Sequence, residues 1–354
     1  NDHDIFVLRF VNGTWSLSSV ANIMGEDDRF PSITCEYQYG SGNWQYISYE
    51  YVYNNDDRDL MFAKSQDNGA TWSIKKLHGD WPDGNVHSQT SITNAEGNVY
   101  IAYKWGADYN SVCEIRVERS IDYGSTWTQF SDVDGLPNDC QFPSIAATHG
   151  GDAVMVGFQY KWSASDVDIW YSYSANKGST WTKGQTLFTS GLEDEKSLTL
   201  VVDGEGTQTQ NVRGYIHAVC KVGRYANYRA TYYSQLTNWS TPKTISDRWI
   251  GKGLAITVRS VNDIYYSNAA WTDTRTKNIY SSSKGLLIID QAFVSDGRCD
   301  VGNKQTVGFH AKWAHNGSAI IEGNIYINET GYVTNETGWT IFNVSYDSVG
   351  KRLW

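Results

Sequence analysis

Three stretches of the chain decide its fold: Ser65-Gln66-Asp67-Asn68-Gly69-Ala70-Thr71-Trp72, Ser120-Ile121-Asp122-Tyr123-Gly124-Ser125-Thr126-Trp127 and Ser174-Ala175-Asn176-Lys177-Gly178-Ser179-Thr180-Trp181. Degenerate copies end at Trp15, after Asn12-Gly13-Thr14, and at Trp239, after Ser234. The five tryptophans are separated by 57, 55, 54 and 58 residues, the mark of a repeat architecture. Each full copy follows an alternating run such as Asp59-Leu60-Met61-Phe62-Ala63-Lys64 or Asp168-Ile169-Trp170-Tyr171-Ser172-Tyr173, which reads as a strand. A second landmark lies about 35 residues upstream, as Arg29-Phe30-Pro31-Ser32-Ile33 and Gln141-Phe142-Pro143-Ser144-Ile145, and opens another strand.

Four short strands per repeat of about 55 residues predict β-propeller blades. Four full blades are expected: Phe30 to about Ile74, about His87 to Phe130, Phe142 to about Gly184, and Lys196 to about Ile245. A fifth lies near Gly253–Leu287, and Asp4–Phe10 with the turn ending at Trp15 supplies two strands of another. Six blades are preferred and five are the alternative. Residues 288–354 lack the octapeptide and read as an immunoglobulin-like β-sandwich or a sheet extension, giving domains 1–287 and 288–354. These 67 residues are short of the roughly 100 a sandwich needs, so completion by chain beyond Trp354 or by a strand from a neighbouring copy is expected.

Composition agrees with an all-β chain. The 354 residues include 15 Trp, 24 Tyr and 11 Phe but 3 Met, and aromatics fit the pleated surface of a sheet. A net charge of -10 excludes phosphate-driven nucleic-acid binding, and no apolar run is long enough for a membrane span. The five cysteines have no CxxC spacing, so no metal site is expected, and nothing indicates a cofactor. Cys113 and Cys140 fall on the same face of adjacent blades and are expected to form a disulfide; Cys35 and Cys220, in apolar strand runs, are expected to be buried thiols. Sequons at Asn12, Asn238, Asn316, Asn328, Asn335 and Asn343 cluster toward the C-terminus and favour an extracellular or cell-surface location.

The octapeptide resembles the Asp box of sialidases and bacterial-neuraminidase-repeat proteins, where it forms the turn between the third and fourth strands of a blade. Its own chemistry is structural: Ser65, Asp67, Gly69 and Trp72, Ser120, Asp122, Gly124 and Trp127, and Ser174, Asn176, Gly178 and Trp181 supply a side-chain-capped turn and a packing ring. The resemblance places any site on the opposite face. There Arg29, Arg58, Trp105, Tyr109, Trp162, Arg224, Tyr225, Arg248, Trp249 and Arg275 are candidate ligand contacts, and Asp27, Asp28, His87, Asp108, Gln141, Lys161 and Lys196 join them. Arg29-Phe30-Pro31 is similar to the family's Arg-Ile-Pro motif, although Asp28 stands where an aromatic is usual. By the same resemblance Asp56 or Asp57 is the acid/base, Glu195 assists the nucleophile, and Tyr266, in Tyr266-Ser267-Asn268, is the nucleophile. The family's complete arginine triad and tyrosine motif are not matched. Two functions therefore stand: a non-catalytic glycan-binding, adhesion or surface-assembly propeller, with carbohydrate and neighbouring copies of itself as partners, and a sialidase-like exo-glycoside hydrolase. The first is preferred.

Overall fold

The computed structural model describes residues 3–21, 27–38, 42–54, 57–79, 85–108, 112–163, 166–191, 193–202 and 214–246, and in the C-terminal part the strands only, mostly as backbone. It is all-β; the helical element among the described residues is a single 3-10 turn at His149–Gly151. Two compact units divide at Thr244/Ile245.

The N-terminal unit opens with a hairpin, β1 (Ile5–Val11) and β2 (Thr14–Ala21). Four antiparallel meanders of four strands follow. Blade 1 is β3 (Asp28–Gln38), β4 (Gly42–Asn54), β5 (Asp57–Ser65) and β6 (Ser73–His78), and blade 2 is β7 (Val86–Ala95), β8 (Asn98–Gly106), β9 (Glu114–Ser120) and β10 (Thr128–Phe130). Blade 3 is β11 (Cys140–Ala147), β12 (Val154–Ser163), β13 (Asp166–Ser174) and β14 (Thr182–Phe188). Blade 4 is β15 (Glu195–Val202), β16 (Tyr215–Val222), β17 (Tyr225–Tyr232) and β18 (Lys243–Thr244). The four meanders fall in the residue ranges that the tryptophan spacing marks out, and a parallel bridge between Arg58 and Val86 joins the first two into one eight-stranded sheet. The first strands are innermost: β3 packs on β7, β7 on β11 and β11 on β15.

Each blade interface holds its own apolar core. Tyr46, Leu60 and Phe62 of blade 1 meet Ile92, Ile101 and Tyr103 of blade 2. Ile115 and Val117 meet Ile145, Val156 and Phe158, and Ile169 and Tyr171 meet Leu200, Ile216 and Ala218. The middle strands are consequently buried on both faces, and β5 is closed to solvent along nearly its whole length. Each fully buried Leu or Ile contributes about 1.5–3 kcal/mol.

Two repeated devices fix the blades to one another. The octapeptides form side-chain-capped turns, here called box turns. The Asp67 carboxylate accepts from the Thr71 amide (2.9 Å) and hydroxyl (2.6 Å), the Gly69 amide donates to Ser65 Oγ (3.0 Å), and Trp72 Nε1 donates to the Gly69 carbonyl (3.2 Å). Asp122 repeats this arrangement with Thr126, Ser120, Gly124 and Trp127. Asn176 keeps it by reversing one donor, its Nδ2 reaching Thr180 Oγ1 at 2.9 Å, while Trp181 Nε1 is buried without a partner. A cation from the preceding blade then latches each turn. Lys64 Nζ reaches the Tyr123 carbonyl (3.1 Å), and Arg119 Nη1 reaches the Lys177 carbonyl (3.0 Å) and Ser179 Oγ (2.7 Å). In blade 3 the corresponding residue is Tyr173, and the next blade carries no box turn; its Trp239 packs edge-on against Tyr171 instead.

Arg9 makes the same latch, from Nη1 to the Asn68 carbonyl at 3.5 Å. Thus β1 and β2 take the places of a third and a fourth strand, ahead of blade 1. The hairpin buries Ile5 and Val20 against Ile47, Tyr49 and Ala63, but among the described residues no strand lies inside β1. This explains the exposure of Cys35, which the sequence reading had placed in the interior. Ile92, Ile145 and Leu200 are 6%, 4% and 6% exposed under the inner strands of the preceding blade, whereas Ile33, which sits at the same position in blade 1, is 57% exposed and Cys35 beside it is open. Cys220 is buried, as expected.

In the C-terminal unit, β19 (Ile250–Val261), β20 (Ile264–Asp273) and β21 (Ile279–Lys284) form a meander that continues through β22 (Ile288–Val294) and β23 (Lys304–Lys312). Next come β24 (Asn324–Ile327) and β25 (Thr330–Val333), a separate pair, and β26 (Trp339–Ser345), which joins β23. Ser282 of β21 pairs with Ile288 of β22, so the 287/288 boundary read from sequence falls within one sheet.

Candidate functional site

The inner strands share an irregularity that positions the site. Pairing slips between Arg29 and Ser32, Ser88 and Ser91, Gln141 and Ser144, and Lys196 and Thr199. At each slip a non-glycine residue takes a left-handed backbone: Phe30 (φ 51°), Gln89 (56°), Phe142 (49°) and Ser197 (58°). The following serines stitch neighbouring blades, since Ser32, Ser91 and Ser144 Oγ accept from the Ile92, Ile145 and Leu200 amides at 3.2, 3.2 and 2.9 Å. The Phe-Pro-Ser landmark is therefore a bulge followed by an inter-blade stitch. Two further copies, Gln89-Thr90-Ser91 and Ser197-Leu198-Thr199, went unread because they lack the proline.

These bulges line a cavity of about 750 Å³. Blade 1 contributes Phe30 and Pro31, blade 2 Gln89 and Thr90, and blade 4 Lys196, Ser197 and Leu198. Blade 3 contributes Asp139, Gln141, Phe142 and Pro143 with Gln159, Lys161 and Val167. Of the residues projected onto this face, Gln141, Lys161 and Lys196 lie in the wall. Gln89 Oε1 accepts from the Phe142 amide (2.7 Å), Lys196 pairs with Asp194 (2.5 Å), and Asp139 accepts from the Cys113 amide (3.3 Å) and from Gln141 Nε2.

The candidate arginines stand elsewhere. Arg29 is held by Asp27, Nε to Oδ1 at 3.0 Å and Nη2 to Oδ2 at 2.5 Å, and Asp27 also meets His3 at 2.8 Å. Arg58 is buried against Glu50 at 3.1 Å, and burial raises the Glu50 carboxyl while Arg58 and Arg29 pull it down. Both guanidinium groups are thus neutralised by carboxylates of the chain itself. Trp105 has one face covered by the Arg116 guanidinium at 3.6 Å, whereas Trp162 (59% exposed), Arg224 and Tyr225 are open to solvent. Asp57 is buried. Asp56, Tyr109, Arg248, Trp249, Arg275, Asn316, Asn328 and Asn335 lie outside the described residues, as do the side chains of Tyr266 and Asn343. Asn12 and Asn238 are exposed.

Glu195 opens β15 beside the cavity residue Lys196. Its carboxyl is buried beside Ser190 and the Asp168 carboxyl, and burial together with Asp168 outweighs the Ser190 hydroxyl and raises it to about 7. Burial raises Asp168 as well. Among the described residues no group of three or more His, Cys, Asp or Glu side chains is arranged to hold a metal ion.

No family model matches the chain, and no curated protein matches it in sequence. Solved structures do. An α-L-arabinanase from Penicillium chrysogenum, complexed with arabinobiose, aligns with a TM-score of 0.53 at 13% identity, over 80% of this chain and 85% of its own. An α-L-arabinofuranosidase from Fusarium graminearum, complexed with an iminosugar inhibitor, aligns with a TM-score of 0.50 at 11% identity, over 78% of this chain and 83% of its own. A Trypanosoma rangeli sialidase in complex with sialic acid aligns with a TM-score of 0.49 at 12% identity, over 96% of this chain and 57% of its own. At these identities the likeness is one of fold alone.

Proposed function

We propose that the protein is a carbohydrate-binding propeller of the extracellular space or cell surface, with its ligand in the cavity between the inner-strand bulges. The observation that carries this is the chemistry of the wall. Two exposed phenylalanine rings, Phe30 and Phe142, share the cavity with the carboxamides of Gln89, Gln141 and Gln159 and the ammonium groups of Lys161 and Lys196. Rings offer flat faces to the C–H side of a pyranose or furanose, and carboxamides both donate to and accept from its hydroxyls. The solved structures of like fold include enzymes named for arabinan-type sugars, which agrees with a saccharide ligand. A sialidase-like count of six blades and assembly with neighbouring copies at a surface complete this reading.

Glu195 favours a second reading, glycoside hydrolysis. A carboxyl held at about 7 is still protonated near neutrality, as a general acid must be, and it stands at the mouth of blade 4. The two readings separate by experiment. Saccharide binding is measured by glycan array and calorimetry on the full chain, and hydrolysis with chromogenic arabinofuranosides and sialosides. Phe142→Ala and Lys161→Met should each weaken saccharide binding at least tenfold; absence of saccharide binding by the unaltered chain would remove the first reading. Turnover that disappears in Glu195→Gln with binding retained would establish the second.

A further inference from the structure

At three junctions a backbone hydrogen bond joins the start of a third strand, or the residues just before it, to the start of the next blade's first strand. His3 accepts from the Asp28 amide at 2.8 Å, the Arg58 amide donates to the Asn85 carbonyl at 3.0 Å, and the Cys140 amide donates to the Cys113 carbonyl at 2.9 Å. The third of these junctions brings two cysteines together. Residues bonded across neighbouring strands have Cα atoms about 5–6 Å apart, within the range a disulfide spans. Both are buried free thiols in the structure, not the bridge expected from sequence, and the Cys113 thiol is close enough to Cys140 to raise it further.

We propose that Cys113 and Cys140 close into a disulfide that ties blade 2 to blade 3 at the wall of the cavity. Asp139 and Gln141, which flank Cys140, both line that cavity, and Asp139 already accepts from the Cys113 amide. The bridge therefore fixes the wall from which these two side chains project. It also encloses the second box turn, Ser120 to Trp127, in a covalent loop. Burial raises both thiols, so they react slowly once folded and the bond forms while the chain folds. The oxidant is a small-molecule disulfide. One cysteine thiolate attacks it and releases one small thiol, and the second thiolate attacks the mixed disulfide and releases the other. The protein loses two protons and two electrons, and the reagent is reduced to two thiols.

The test uses the full chain folded in a buffer of oxidised and reduced glutathione, with residual thiols then alkylated under denaturing conditions and the peptides mapped by mass. The peptide carrying Cys113 should be found linked to that carrying Cys140, with Cys35 and Cys220 alkylated; alkylation of both Cys113 and Cys140 overturns the proposal. Thermal melts give an independent reading. In a bridged protein Cys113→Ser, Cys140→Ser and the double variant lower Tm by the same amount, on the order of 5–10 °C, and reductant lowers the unaltered chain as far. Single-variant losses that add in the double variant mean unlinked thiols and refute the bridge.

Discussion

Gly13, Gly69 and Gly124 occupy left-handed backbone at φ 79°, 75° and 76°, so replacing each by alanine imposes the same local strain in three different surroundings. That strain is about 1–2 kcal/mol. A Cβ on Gly13 would meet nothing within 4 Å, and one on Gly69 would touch the Trp72 ring at 3.3 Å. On Gly124 it would come to 2.5 Å from Phe62 Cζ and 2.7 Å from Cε1. Phe62 has no room to yield, being buried with the Tyr46 ring at 6.0 Å and the Trp127 ring at 4.8 Å. Forcing atoms into a filled core costs about 1–3 kcal/mol more. Gly13→Ala should therefore cost about 1–2 kcal/mol, Gly69→Ala little more, and Gly124→Ala about 2–5 kcal/mol. Urea unfolding followed by far-UV circular dichroism gives these differences through the midpoint at constant m. Phe62→Leu combined with Gly124→Ala should recover part of the loss, because the two sites share one contact. Equal costs at Gly13 and Gly124, or no recovery in the double variant, would refute the claim that the box turn is packed against the preceding blade.

Other outcomes follow from the same features. Glu195, raised to about 7 from 4.5 by burial and by Asp168, keeps a proton in the folded chain that the unfolded chain has released, so its contribution is complete below pH about 4.5 and is lost as pH rises through 7. The loss is on the order of 3 kcal/mol, and Glu195→Gln should remove it, visible as a flatter Tm between pH 5 and 8; an unchanged slope would count against the assignment. At Asp122, burial is outweighed by the Thr126 and Ser120 bonds, which hold the carboxyl at about 2. Asp122→Ala should cost about 1–2 kcal/mol and Asp122→Asn under about 1 kcal/mol, as Asn176 performs the same task, with chemical denaturation as the measure. Arg119→Leu should cost about 1 kcal/mol by losing the bonds to Lys177 and Ser179, while Tyr173→Arg should cost about 1–2 kcal/mol in the same melts, because it gives up the stacked Tyr171 ring at 6.2 Å and faces a blade with no turn carbonyl to receive it.

The blades were legible because their signals are local. A serine, an Asp or Asn, a glycine and a tryptophan at fixed spacing make the turn within eight residues, and the tryptophan period then gives the repeat. The bulges were only half legible, because a left-handed residue followed by a serine or threonine is a backbone requirement that Phe30, Gln89, Phe142 and Ser197 meet with three different side chains. Reading the face from strand order alone brought in Gln141, Lys161 and Lys196, yet it treated Phe30 and Phe142 as strand openers rather than as cavity walls. Charges were visible in the sequence and their partners were not. Arg29 with Asp27 is a near-neighbour pair, but Arg58 meets Glu50 only once β4 and β5 are laid side by side. For Cys35 the strand was read correctly; what matters is which strand covers it, a property of the preceding blade.

The latches at Arg9, Lys64 and Arg119 have a consequence for how a chain of near-copies avoids confusing them. Each donor sits in one repeat and its acceptor in the next, and the donor becomes Tyr173 where the next repeat has no turn to receive it. Adjacent repeats thus carry an address for their successors, one residue long. A rearranged chain that set the third repeat ahead of an octapeptide turn would place Tyr173 against bare turn carbonyls, and one that set the first or second repeat ahead of the fourth would leave a cation facing a surface with nothing to accept it; each such mismatch costs more than the matching bond gains. The third repeat is therefore not interchangeable with the two before it, and its place in the order is enforced by contacts as well as by the covalent chain.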